Sequence, residues 1–197
     1  MIGIIDYDAG NIRSVVNALN RLGVPHFVSN DRKELSKASK IILPGVGEAR
    51  SAMDSLRAVK LDQWLKEQTV PFLGICLGMQ VLFDHSTERD TPCLGVIGGT
   101  IQLFQRTSAA PKVPHMGWNT VTLAGKTPLF NGIRSDEYFY FVHSYYAPLV
   151  RAVIGTTEYG TIFTSAAHQD NFYGVQFHPE KSGEAGLHLL KNFVELC

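Results

Sequence analysis

The hydrophobic positions along the chain change texture once. In the N-terminal part, short apolar runs alternate with stretches whose apolar residues recur at helical spacing; further on the runs become β-rich and turns replace helices. Ile2, Ile4 and Ile5 predict a strand ending at Asp6. Asn11 stands where a helix cap belongs, ahead of Ile12, Val15, Val16 and Leu19, which share a helical face as far as Gly23. Phe27 and Val28 predict a second strand, Asn30 and Asp31 open a short helix, and residues 40–43 form a third strand running into Pro44-Gly45-Val46-Gly47. Helices are expected over residues 49–59 and 61–68, then a strand over 70–75 followed at once by an apolar segment of helical character. Strands alternating with helices predict a parallel sheet covered on both faces, with ligands at the carboxyl ends of its strands.

Beyond residue 95 the expected strands are 95–104, 118–123, 138–142, 152–157, 161–166 and 172–177. Turn signals such as Glu158-Tyr159-Gly160 and Gln169-Asp170-Asn171 make antiparallel pairing beside the parallel core the natural arrangement. A last helix follows, with Ser182 as its cap and Leu187, Leu190 and Val194 on one face. The fold class is therefore α/β: a mostly parallel central sheet flanked by helices, with an added antiparallel β region. No repeat, linker or low-complexity segment divides residues 1–197, so one domain is expected.

Composition narrows the class. A chain of 197 residues with 45% hydrophobic content is large enough for one well-buried core. Its 18 basic and 18 acidic residues cancel, so no global field draws it to nucleic acid or to an anionic membrane. The start, MIGIIDYDAGN, lacks the basic and long apolar regions of a secretory signal, and no apolar run is long enough to span a bilayer. The three cysteines, Cys76, Cys93 and Cys197, contain no CxxC pair and suit a reducing compartment, so a cytoplasmic location is expected. The histidines at 26, 85, 115, 143, 168 and 188 show no ligand spacing, and no metal is expected.

The chemistry is concentrated around Cys76. The run Gly74-Ile75-Cys76-Leu77-Gly78 has the form of a nucleophile elbow, in which glycines on both sides let strand and helix approach around a strained residue. Unpaired backbone N–H groups at the following turn favour a thiolate. A free cysteine in an apolar strand is otherwise simply a small buried hydrophobe. The reactive reading is strengthened downstream, where a strand-like run delivers His178 and, across Pro179, Glu180. Nucleophile, base and orienting acid are the parts of a catalytic triad.

GICLGMQ together with FHPE resembles the class I, triad-type glutamine amidotransferases, which release ammonia from glutamine through a γ-glutamyl thioester. The resemblance covers essentially the whole chain and implies a flavodoxin-like amidotransferase fold, catalytic Cys76, His178 and Glu180, and no cofactor. Pro44-Gly45-Val46-Gly47 and Pro114-His115-Met116-Gly117-Trp118-Asn119 are similar to the branch that serves imidazole glycerol phosphate synthesis in histidine biosynthesis. That branch implies, as partner, a separate (βα)8-barrel cyclase subunit, with docking candidates Trp118, Tyr138 and Lys181. Asp8 stands where many members carry glycine. Rival readings are the glutaminase of another ammonia-channelling synthase, a free-standing γ-glutamyl hydrolase, and a noncatalytic module on the same fold.

In elbow enzymes one oxyanion donor is the N–H after the nucleophile, here Leu77; the second comes from a neighbouring loop, here Val46 or Gly47. The glycines flanking Val46 would let its peptide rotate, so that this donor forms only when the partner binds. By resemblance, Gln80 and His143-Ser144-Tyr145 line the glutamine pocket, with backbone contacts from Gly47 and Ser144. Gln80 also lies one helical turn past Cys76, where its amide can reach a bound amino acid. Nucleotide-loop readings fail, because Arg50 occupies the place of a third glycine after Gly45 and Gly47, and Thr120 that of the glycine upstream of Gly125-Lys126-Thr127.

Overall fold

The computed structural model describes residues 1–7, 11–108 and 112–197; Asp8, noted above, lies outside the described residues. Strands β1 (Ile2–Ile5), β2 (His26–Ser29), β3 (Lys40–Leu43) and β4 (Phe72–Ile75) alternate with helices α1 (Ile12–Arg21), α2 (Arg32–Leu35), α3 (Ala49–Ala58) and α4 (Asp62–Lys66). A one-turn helix α5 (Leu77–Gln80) follows β4, and then strands β5 (Phe83–Ser86), β6 (Thr91–Pro92) and β7 (Ile97–Leu103). The remainder comprises β8 (His115–Leu123), β9 (Glu137–His143), β10 (Tyr145–Tyr146), β11 (Val153–Glu158), β12 (Ile162–Gln169), β13 (Phe172–Val175) and helix α6 (Gly183–Leu196).

Among the described residues nine strands form one sheet in the order β2-β1-β3-β4-β13-β12-β11-β8-β9. The first five run parallel. From β13 onward every pairing is antiparallel, so the expected β-rich region continues the parallel core as one sheet. A smaller sheet, β10-β7-β5-β6, lies apart from it.

Both faces of the parallel part are buried, which is why its strands read as continuous apolar runs. Ile2, Ile4, Ile42, Leu73 and Ile75 pack with Val15 and Leu19 of α1 and with Leu189, Leu190 and Phe193 of α6. Ile5, Ile41, Leu43 and Phe72 face the other way, against Met53 and Leu56 of α3 and Trp64 and Leu65 of α4. The buried face of α6 centres on Leu189, Leu190 and Phe193, with Leu187 and Val194 half-buried at its margins.

Three local expectations are corrected. The helical segment after Cys76 is a single turn, because the backbone N–H groups of Leu94, Gly95, Val96 and Ile97 bond to the carbonyls of Val81, Phe83 and Leu82 and draw that segment into the small sheet. Asn11 and Ser182 precede helices but do not cap them with their side chains. The Ser182 hydroxyl instead donates to the His178 carbonyl (2.6 Å) and accepts from the Tyr140 N–H (3.0 Å). Asp31 does cap, accepting from the N–H groups of Lys33 (2.7 Å) and Glu34 (3.1 Å).

The elbow glycines are required by close approach. A Cβ on Gly78 would overlap the Leu43 carbonyl oxygen at the end of β3, and one on Gly74 would sit 2.5 Å from the Gly78 oxygen. The Gly78→Ala substitution is therefore expected to destabilise the fold by about 3 kcal/mol, the upper range of overpacking costs, as read from the urea midpoint.

Candidate active site

The carboxyl ends of β4 and β13 lie side by side, with Gly74 opposite Gly174 and Ile75 opposite Val175. The Cys76 N–H donates to the Val175 carbonyl (2.8 Å), so the residues following the two strands are held together although far apart in sequence. Cys76 adopts φ 53° and ψ −106°, a strained conformation for a β-carbon-bearing residue that costs on the order of 1–3 kcal/mol. Its side chain is buried.

Next to it, His178 Nδ1 bonds to Glu180 Oε1 at 2.7 Å, and both side chains are shielded from solvent. Because Glu180 accepts, Nδ1 carries the proton in that contact. Nε2 is buried and makes no hydrogen bond, which leaves it free to exchange a proton. Burial pushes the His178 pKa down, but the Cys76 sulfur and then the Glu180 carboxylate outweigh it and lift the value to about 10. The arrangement thus favours an imidazolium beside the sulfur.

Asn11, expected as a cap, turns its amide to the same site: Nδ2 donates to Glu180 Oε1 at 2.5 Å. It sits at φ 83°, a region asparagine tolerates better than most residues. Only the approach of the loop after β1 to the turn at Pro179–Lys181 reveals this contact.

A cavity of about 380 Å³ opens over the sulfur, within the ~300–1,000 Å³ range of small-molecule sites. Val46, Gly47, Leu77, Gln80, His143, Ser144 and Tyr145, all anticipated, line it with Cys76. Gln80 presents less to a ligand than expected, since its Nε2 donates both to the Tyr145 carbonyl and to Gln176 Oε1, each at 2.9 Å. Those two bonds leave Oε1 as the end of the amide that they do not use. Glu88, not anticipated from sequence, lines the same wall, and its carboxylate accepts from the Ala49 N–H (2.7 Å). Burial raises its pKa, opposed by that hydrogen bond. It lies in a turn with no motif to single it out.

The two expected oxyanion donors do not converge in this state. The Leu77 N–H donates to the Gly45 carbonyl (3.3 Å), so the trans Gly45–Val46 peptide shows Leu77 its oxygen and turns the Val46 N–H the other way. The loop is held by Tyr7, whose hydroxyl donates to the Pro44 carbonyl (2.8 Å). A Cβ on Gly45 would collide with that hydroxyl.

His143 lines the cavity, and His115 lies behind it. His143 Nδ1 bonds to the Tyr145 carbonyl (2.7 Å), and His143 Nε2 lies 3.0 Å from His115 Nδ1. Burial pushes His115 down to about 4; burial, against the opposing pull of the Tyr145 carbonyl, leaves His143 at about 3. Both are therefore neutral hydrogen-bonding groups at ordinary pH. Among the described residues no group of three His, Cys, Asp or Glu side chains is placed to hold a metal ion. A wider cavity of about 700 Å³ beside Lys126 and Thr127 is lined by no cysteine, histidine or carboxylate.

Trp118 (55% exposed) and Tyr138 (57%) project outward from β8 and β9, so the tryptophan is not a core residue. The same face carries Met116 and Tyr140, and Lys181 is exposed on the turn that carries Glu180. This face is tied to the catalytic turn, since the His178 N–H donates to the Tyr140 carbonyl (2.9 Å).

The family model described as glutamine amidotransferase class-I matches residues 3–197. The chain belongs to the class-I glutamine amidotransferases. This amidotransferase is 49% identical over 195 residues to imidazole glycerol phosphate synthase subunit HisH of Bacteroides fragilis, with 99% of each chain covered. It is also 49% identical over 199 residues to the subunit of the same name from Methanocaldococcus jannaschii, with 100% of each covered. Among solved structures, a putative GMP synthase subunit from Thermoplasma acidophilum superposes with a TM-score of 0.75 at 20% identity, over 98% of this chain and 91% of that one. PurLQS from Thermotoga maritima gives 0.72 at 18%, over 98% and 96%. The two structural matches show the shared α/β fold.

The Cys76–His178 electrostatics in this amidotransferase are directly measurable. An NMR titration is expected to show His178 protonated through neutral pH, with a midpoint near 10. Cys76→Ala, which removes the largest raising influence, should move that midpoint down toward the ordinary imidazole value of about 6.5. A midpoint unchanged by this substitution would refute the assigned cause.

Proposed function

We propose that this chain is the glutaminase subunit of an imidazole glycerol phosphate synthase in histidine biosynthesis, releasing ammonia from glutamine at Cys76 and passing it to a cyclase subunit. The supporting observation is the cluster of Cys76, His178 and Glu180 beneath one cavity, in a chain 49% identical along its length to a subunit of that name. We take residues 1–197 as one amidotransferase domain in the cytoplasm, a location that suits its three free thiols.

Glutamine enters with its side-chain amide over Cys76. Its α-ammonium meets Gln80 Oε1 and the Glu88 carboxylate, and backbone groups of Gly47 and Ser144 take the α-carboxylate. The thiolate attacks the amide carbon, and the C=O electron pair moves onto oxygen. His178 then gives its Nε2 proton to the amide nitrogen as the C–N bond breaks; ammonia leaves and a thioester remains. Water attacks the thioester while Nε2 takes its proton. Collapse breaks the C–S bond, yielding glutamate and regenerating the thiolate. Glu180 keeps the Nδ1–H tautomer throughout, and no cofactor is required.

The oxyanion needs donors that the Gly45–Val46 peptide at present withholds. Rotating that one peptide withdraws the Gly45 carbonyl from the Leu77 N–H and turns the Val46 N–H inward, creating both donors together. The glycines flanking Val46 reduce the backbone barrier to this rotation. A (βα)8-barrel cyclase docking on Trp118, Tyr138 and Lys181 sits beside the catalytic turn and favours the rotated state, so glutamine is spent only when an acceptor for ammonia is present.

The test compares glutaminase turnover of the isolated chain with that of its complex with the cyclase and acceptor ligand. Turnover is expected to be about 100-fold lower in isolation, the worth of an oxyanion donor. Cys76→Ala should abolish it in both, and Trp118→Ala should weaken association about tenfold. Equal turnover in isolation and in complex would remove the gate and point to a free-standing γ-glutamyl hydrolase. Glutamate release by the Cys76→Ala protein would overturn the glutaminase reading itself.

A further inference from the structure

Gln176 follows β13, is fully buried, and has its backbone pinned by its N–H to the Ser165 carbonyl (2.9 Å). Its side-chain orientation can be deduced from a group whose role is unambiguous. The Tyr145 backbone carbonyl can only accept, so the end of Gln80 lying 2.9 Å from it must be the Nε2 amide. That same nitrogen lies 2.9 Å from Gln176, which must therefore present Oε1. The remaining end of Gln176, Nε2, then lies 3.6 Å from the Cys76 sulfur. His143 Nδ1 also donates to the Tyr145 carbonyl, which anchors the start of the relay.

From this relay we infer that Gln176 is a catalytic residue of the glutaminase centre: its amide N–H donates to the Cys76 sulfur and holds it as a thiolate aimed into the cavity. The inference rests on the proposed glutaminase function and adds a participant to it. A backbone acceptor works in the opposite direction, since the Val142 carbonyl lies 3.9 Å from the sulfur and favours the thiol. The Gln176 donor is closer, and amide donors to an ionised acceptor are about twice as strong as neutral pairs. Cys76, Gln80 and Gln176 are all buried, so water competes little for these bonds.

The two supports of the sulfur are complementary. His178 supplies charge but must surrender its proton to the leaving nitrogen. Gln176 does not titrate, so its N–H remains directed at sulfur in every step, including the expulsion of thiolate from the second tetrahedral intermediate. Gln80 joins this relay to the cavity. A ligand ammonium on Gln80 Oε1 polarises the Gln80 amide, strengthening its bond to Gln176 and hence the donor facing sulfur.

The test is the pH dependence of Cys76 alkylation by iodoacetamide, followed by mass analysis of the Cys76 peptide so that Cys93 and Cys197 do not interfere. The titratable groups around the sulfur are His178, Tyr7 on the loop after β1, and Glu88 and His143 on the cavity wall; all are unchanged in the variants. Gln176→Met removes the donor at similar length. It is expected to move the profile up by about one pH unit, lowering the rate about tenfold on the acid limb below both midpoints while leaving the high-pH plateau intact. An unmoved midpoint in the folded variant, or a lower plateau without a shift, would overturn the proposal by reducing Gln176 to packing. If Gln176→Met does not fold, Gln80→Met decides: releasing the Gln176 amide to rotate should give a smaller shift in the same direction, and no shift refutes the role. Because alkylation requires no glutamine turnover, its outcome is independent of the Cys76→Ala assay above.

Discussion

The parallel pairing of β4 with β13 sets Ile75 opposite Val175, and the Cys76 N–H closes the ladder onto the Val175 carbonyl at 2.8 Å. Chain segments far apart in sequence thereby become neighbours at their carboxyl ends. Cys76 follows one strand, and Gln176 and His178 follow the other. A slip of one residue in this register would exchange the faces of β13, moving Val175 out of the layer it shares with Leu73, Ile75 and Phe193. The apolar layers on both faces thus fix the register, and the register places the chemistry.

Around that pairing, several buried polar groups are bonded in a defined direction. The series from His143 through the Tyr145 carbonyl, Gln80 and Gln176 to Cys76 contains one backbone acceptor that dictates the orientation of the amides beyond it. On the other side of the sulfur, Asn11 and His178 share Glu180 Oε1. The exceptions are informative. His178 Nε2 and Glu180 Oε2 are buried without a hydrogen-bond partner, and in the proposed reaction the former exchanges the proton. The Leu77 N–H, by contrast, is taken up by the Gly45 carbonyl, which in the proposed reaction must release it.

These features connect the catalytic centre to the surface over a short distance. The β8–β9 hairpin buries His115, Phe139, Phe141 and His143 on one face and exposes Met116, Trp118 and Tyr138 on the other. Its Tyr140 backbone bonds to both His178 and Ser182, so the outer face and the turn carrying His178 and Glu180 share one strand. Val142, paired in register with Met116, places its carbonyl against the Cys76 sulfur.

Local pattern alone determined the strand and helix sequence of the N-terminal part, the parallel sheet, the elbow and the pairing of His178 with Glu180. Each depends on residues close in sequence: apolar runs, helical spacing, and glycines around Cys76. The three-dimensional fold decided what depends on distant groups. It shortened the helix after Cys76, because residues 94–97 compete for the carbonyls of Val81, Leu82 and Phe83. It drew Asn11 and Ser182 from helix capping to the catalytic turn. It also brought in Glu88, which lies in a turn with no motif, and Gln176, two residues before His178, whose contact with the sulfur only the packing reveals. Propensity is set by neighbours along the chain, whereas a buried donor takes whichever acceptor the packing brings within reach.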